Sequence, residues 1–175
     1  MPVSTLVTTA GLANANAYCD VAFADQYHLD RPAVGTTWGV ATSDQKSAAI
    51  LWATKLMDAA WFWTGYPTDA VQALLWPRGG MLKRNGWEYV DIHTIPIEIK
   101  NATAEYARQL LVSDLAGNNP VQTQGITALR AGPVSLNFKD GVFAKPVPDT
   151  VYILIPPSWG YPVARASGVR DLTRA

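Results

Sequence analysis

Charge is scarce in this sequence. Lys, Arg, Asp and Glu make up 16% of its 175 residues, against roughly 25% in an ordinary globular chain. Its 14 basic residues balance 14 acidic ones, so no net field draws the chain to nucleic acid or to an anionic membrane. Binding DNA by charge alone is thereby disfavoured. Cysteine is nearly absent too. Cys19 stands alone, which excludes an intramolecular disulfide and a cysteine-based zinc site and suits a reducing compartment. Such a residue reads as a small buried hydrophobe rather than a reactive thiol. Long apolar runs are also missing. None approaches the ~20 residues that span a bilayer, so no transmembrane helix and no membrane partner is expected. The opening "MPVSTLVTTAGLANANAY" lacks the basic and compact apolar regions of a secretory signal, and the chain is expected to stay where it is made.

What the chain does have is tryptophan, 7 in all. A length of 175 residues is one domain of ordinary size with a sizeable core. With so few charges to cover its surface, much of that surface is expected to face other protein, since interface cores are rich in aromatics and poor in charge.

Three segments carry helical periodicity. The first is expected over Ala15 to His28, capped by Asn14 or Asn16 and ended where Pro32 pushes Arg31 out of the α region. The second begins at Thr42, which forms a capping box with Gln45, and runs to about Trp63 before Gly65. Its expected core stripe is Ala48, Ala49, Trp52, Leu56, Ala59, Ala60 and Trp63. The third opens at "TIPIEIK", with Thr94 as cap and Pro96 in the first turn, and passes Ile99, Ala102, Tyr106, Leu110 and Ala116 to stop at Gly117. Between the last two, "LKRNGWEYVD" suits a hairpin turning at Asn85-Gly86. Further on, "ITALRAG", "PVSLNFKDG" and "TVYILIPP" read as short strands.

The expected fold is therefore mainly α, a helical bundle of about three to four helices with an inserted hairpin or loop, a small C-terminal antiparallel β element and an extended C-terminal arm. The expected boundaries are an extended segment at 1–13, a helical core at 14–117 with its excursion at 79–93, a β element at 118–155, and an arm at 156–175.

The chemistry is mostly absent. His28 and His93 lack ligand spacing, so no metal is expected. "GTTWG" and "PRGG" lack the lysine and strand-to-helix setting of a phosphate loop. Glu98 and Glu105 share a helix face, but Lys100 and Arg108 lie on the same helix, and solvated or salt-bridged charges fit better than an acid-base pair. No serine sits in a nucleophile elbow. Neither an enzyme nor a cofactor is expected.

One corner stands out, "QALLWPRGG" at residues 72–80. Trp76 precedes a proline and is kept from helical geometry, so "VQALL" must end there. The indole brings a large area to bury, and Arg78 a rigid fork of donors. Two readings are open: a core tryptophan with a surface arginine, or Arg78 facing a partner subunit.

These residues carry a resemblance. Gln72, Leu75, Trp76, Pro77 and Arg78, followed by Ile95, Pro96, Lys100, Ala102, Glu105 and Ala107, resemble the phage head-tail connector or adaptor proteins, whose members are also described as DnaT-like single-stranded-DNA-binding proteins. The resemblance covers residues 11–116. It implies a structural virion protein of the neck, made in the host bacterial cytoplasm. About twelve copies would form a ring beneath the portal. The expected partners are further copies of the chain, the portal protein and a downstream tail or nozzle protein, with double-stranded DNA passing through the lumen without sequence specificity. The interface candidates are Trp76, Arg78, Lys83, Arg84, Trp87, Tyr89, Trp159, Tyr161, Arg165 and Arg170. "WFW" at Trp61 to Trp63 and the long tail depart from the simple family pattern.

The alternative is a genuine single-stranded-DNA-binding protein, which needs cations beside stacking aromatics. Lys83, Arg84, Trp87 and Tyr89 form the one local cluster of that kind. Zero net charge and the lack of an OB-type strand pattern weigh against it. A third reading is a small accessory oligomer with no virion role.

Overall fold

The computed structural model describes residues 2–31, 36–112, 128–131, 134–137 and 147–163. Over these the fold is mixed and mainly helical, with small antiparallel strand pairs. In chain order come α1 (Val21–Leu29), α2 (Thr36–Val40), α3 (Ser43–Ala60), β1 (Trp61–Trp63), β2 (Tyr66–Pro67), β3 (Arg78–Gly79), α4 (Ile97–Leu110), β4 (Ala128–Ala131), β5 (Val134–Asn137), α5 (Asp149–Leu154), a 3-10 turn (Pro157–Trp159) and β6 (Gly160–Pro162).

α3 packs along α4, with α5 against α4 and α1 against both long helices. The capping box at the start of α3 is present: Gln45 N–H donates to Thr42 Oγ1 at 3.2 Å and Thr42 N–H to Gln45 Oε1 at 2.9 Å. Its buried face is Ala49, Ile50, Ala53, Thr54 and Met57. That is one position away from the expected stripe, and Trp52 is left 43% exposed. Small Ala49 and Ala53 fit a close helix-helix contact, which an indole would hold apart.

Several sequence expectations are corrected. Residues 15–19 are not helical. α1 starts later, where Asp20 Oδ1 accepts from Phe23 N–H at 2.7 Å. Asn16 serves the N-terminal segment instead, accepting from Val7 N–H at 2.7 Å and donating to Thr5 O at 2.9 Å. Tyr18 N–H then donates to the Thr54 hydroxyl at 3.3 Å, fixing this stretch to α3. Trp61 to Trp63, expected as the last turn of α3, form strand β1, because β6 supplies a partner for three aromatics that lose χ1 freedom in a helix. "TVYILIPP", expected as a strand, is α5: Pro148 precedes the first turn, Asp149 sits in it, and Thr150 Oγ1 accepts from Gln109 of α4 at 2.6 Å. Thr94 does not cap α4. Its hydroxyl donates to Asp91 Oδ2, and Pro96 stands at the cap. The segments read as strands at 128–131 and 134–137 do pair, antiparallel. The expected helix end at Ala116 and Gly117 lies outside the described residues. Of the arm expected over 156–175, the part up to Pro162 is instead the 3-10 turn and β6, held by the buried Trp159 and by pairing with β1, and the part beyond residue 163 lies outside the described residues.

Candidate nucleic-acid interface

The buried groups of the Trp-Pro-Arg corner organise the loops around it. The Trp76–Pro77 peptide is cis. Trp76 is 1% exposed and sits in an aromatic cluster. Trp63 meets it edge-on with centroids 5.4 Å apart, Trp159 lies 5.0 Å away, and Trp61 stacks on Trp63. Arg78, also buried, donates from Nε to Thr64 O at 2.7 Å, from Nη1 to Leu75 O at 3.1 Å and from Nη2 to Gly65 O at 2.9 Å. Its fork is spent on the chain's own carbonyls, which loops otherwise leave unpaired. Gln72 works in the same way. Its Oε1 accepts from the backbone N–H groups of Thr68 and Asp69, while Nε2 donates to Leu74 O and Pro77 O. Beneath the corner, Asp58 accepts from the Tyr18 hydroxyl and from Leu75 N–H. Burial pushes the Asp58 carboxyl up to about 6.

Glu105 is buried, and its carboxylate receives Arg31 of the α1 end, Arg108 at 2.8 Å and Gln109 at 3.2 Å. Despite the burial that opposes it, pairing holds this carboxyl below its ordinary value. Glu98 does not join it. The corner and the Glu105 network are therefore framework.

The exposed chemistry lies on the hairpin at residues 82–89. Leu82 bridges Tyr89, Val90 N–H donates to Met81 O at 2.8 Å, and Gly86 turns the chain at φ +84°. Asn85 Oδ1 accepts from the N–H groups of Trp87 and Glu88. The sequence therefore folds as the Asn-Gly pair requires. This brings together Lys83, Arg84, Trp87 and Tyr89, with Trp87 81% and Tyr89 69% exposed. The hairpin is anchored at both sides. Trp159 Nε1–H donates to Leu82 O at 2.6 Å, and Arg84 Nη2 reaches the carbonyls of Ile153 and Leu154 at 3.4 and 3.3 Å. Lys83 pairs with Glu88 at 2.9 Å, and the bond from Lys83 holds the Glu88 carboxyl below its ordinary value. With Lys83 and Arg84 balanced by Glu88 and, just beyond the hairpin, Asp91, the stretch is almost neutral.

Of the other candidates, Trp76, Arg78 and Trp159 are interior, and Tyr161 is 62% exposed on β6. Arg165 and Arg170 lie outside the described residues. The sequence reading missed Phe62, 54% exposed and opposite Tyr161 in register. The alternation in "WFW", tryptophans in and phenylalanine out, was the available signal. Among the described residues no group of His, Cys, Asp and Glu could hold a metal, and no helix is long and apolar enough to cross a membrane. Burial pushes the Cys19 thiol up to about 12, away from reactivity.

A family model described as putative DnaT-like ssDNA binding protein matches residues 5–164. The chain belongs to this family. No curated protein and no solved structure matches it. The match overturns the head-to-tail adaptor expectation, since the description is of single-strand binding and brings no support for a ring, a portal contact or a tail or nozzle partner. The physical reason for the error is visible at the corner. Among the residues that carried the resemblance, Gln72, Trp76, Arg78 and Glu105 are spent on internal hydrogen bonds, ion pairs or packing. Residues that build the framework do not choose among the functions a framework can serve.

Proposed function

We propose that this chain binds single-stranded DNA, without catalysis, and that bases stack on Trp87 and Tyr89 of the hairpin while the donors of Arg84 and Lys83 beyond those held by Ile153, Leu154 and Glu88 meet the phosphates. The family membership supports the substrate class. The observation that carries the site is Trp87, an indole 81% exposed on an anchored turn two residues from a second exposed ring. Such a rigid, wet aromatic costs apolar exposure in the free protein and gains it back when a base covers it. With net charge zero and the hairpin close to neutral, stacking must supply most of the affinity. Two phosphate contacts imply a log-log salt slope of about −1.4, or roughly a sevenfold loss between 50 and 200 mM salt.

The test is fluorescence anisotropy of a labelled oligothymidylate titrated with the protein and with Trp87→Ala. At about 1–3 kcal/mol per stacked base, Trp87→Ala weakens binding roughly 5- to 150-fold. Equal affinity of the two proteins would remove the hairpin from the site.

A further inference from the structure

The ribbon formed by β1 and β6 carries a second pair of exposed rings that the hairpin alone does not need. Trp61 and Trp63 face inward, where Trp61 also meets Tyr152 at 4.8 Å. The outward face of the register pair is Phe62 opposite Tyr161, with centroids 5.4 Å apart at 37°. These rings are 54% and 62% exposed, and the six ribbon residues include no charge. The mount is stiff. Thr64 N–H donates to Trp159 O at 2.9 Å, Val163 N–H to Ala60 O at 2.8 Å, and the Thr64 hydroxyl to Ser158 O at 3.0 Å. The inner tryptophans tie the ribbon to the aromatic cluster around Trp76 and Trp159.

The same Trp159 joins the two exposed platforms. Its indole holds the hairpin base at Leu82 O, and its next residue begins β6. Ring pairs on an uncharged ribbon, joined through Trp159 to a nearly neutral aromatic hairpin, suit successive bases of one strand, because stacking tolerates any base and needs no charge. A duplex, with its bases already stacked, offers such rings no faces.

We infer that Phe62 and Tyr161 form a second stacking platform, so that one single strand runs from the hairpin onto the ribbon, two surfaces that the buried Trp159 ties together from beneath. This rests on the single-strand-binding reading above. The experiment compares oligothymidylates of about 4 and about 20 nucleotides, bracketing the roughly 4–16-nucleotide sites of single-strand binders. Wild type, Trp87→Ala and the pair Phe62→Ala with Tyr161→Ala are measured by anisotropy, after circular dichroism has shown that each variant is folded. Where the double truncation unfolds the chain, Phe62→Ser and Tyr161→Ser are measured singly. The expected result is that the ribbon variants lose roughly 5- to 150-fold on the long strand and much less on the short one. Trp87→Ala loses on both. Long-strand affinity equal to wild type in folded ribbon variants would overturn the second platform and leave the hairpin reading intact. No binding of either strand by wild type would overturn the single-strand reading itself.

Discussion

Replacing Arg78 separates a framework role from a partner-facing one. Its guanidinium bonds three backbone carbonyls, those of Thr64, Gly65 and Leu75, from a buried position. Arg78→Ala removes a charged donor from three carbonyls at once, but Thr64, Gly65 and Leu75 are themselves exposed, so water replaces part of what is lost. A hydrogen bond to a charged group contributes about 1.5–3 kcal/mol, and with that replacement a total of about 2–4 kcal/mol is expected. That is a sizeable part of the ~5–15 kcal/mol that holds a domain folded. At roughly 2–4 °C per kcal/mol for a chain of this size, the melting temperature falls by about 4–16 °C. Arg78→Lys keeps the charge but not the fork, and an ammonium on a flexible stem replaces one or two of the three bonds, so about half of the loss remains. Urea denaturation of the three proteins reads the difference directly. Equal midpoints for wild type and Arg78→Ala would refute the reasoning. A lysine variant as stable as wild type would show that charge rather than fork geometry matters.

Glu105→Ala strands Arg108 and Arg31 and should cost about 3–5 kcal/mol in denaturant. Arg31→Ala should cost much less, because Arg31 keeps 34% of its side chain in water. Asp58 has its carboxyl raised from 3.8 to about 6. The folded state therefore holds this proton more tightly than the unfolded chain, and the stabilisation present below pH ~4 is lost as pH rises to ~6, by at most about 3 kcal/mol. Asp58→Asn should flatten that slope, and an unchanged stability-pH profile would count against the assignment. Gly65→Ala places a Cβ 2.3 Å from Gly79 O at φ +67°. It should destabilise by about 2 kcal/mol or more, with an unchanged melting curve as the contrary result.

The parts of this fold that were legible in the sequence are those decided within a few residues. The Thr42–Gln45 box and the Asn85-Gly86 turn depend only on neighbours, and both are present. The misread parts depend on distant partners. Trp61 to Trp63 continue a helical pattern until β6 offers them a strand to pair with. "TVYIL" is β-branched enough for a strand, yet α4 gives it a helical surface to cover. The candidate site divides along the same line. Lys83, Arg84, Trp87 and Tyr89 sit on one hairpin and could be seen as a cluster, whereas Phe62 and Tyr161 are brought together from distant parts of the chain. Arg78 and Trp159 show the converse, because a side chain rich in donors or aromatic surface looks the same in a sequence whether it serves a partner or the chain's own carbonyls.

The most direct test of the account is equilibrium binding of the wild-type protein to a labelled single strand of about 20 nucleotides, with competition by the same length unlabelled as single strand or as duplex. The single strand should compete and the duplex far more weakly, with a salt slope near −1.4. Absence of binding at low salt, or equal competition by duplex with a much steeper slope, would contradict it.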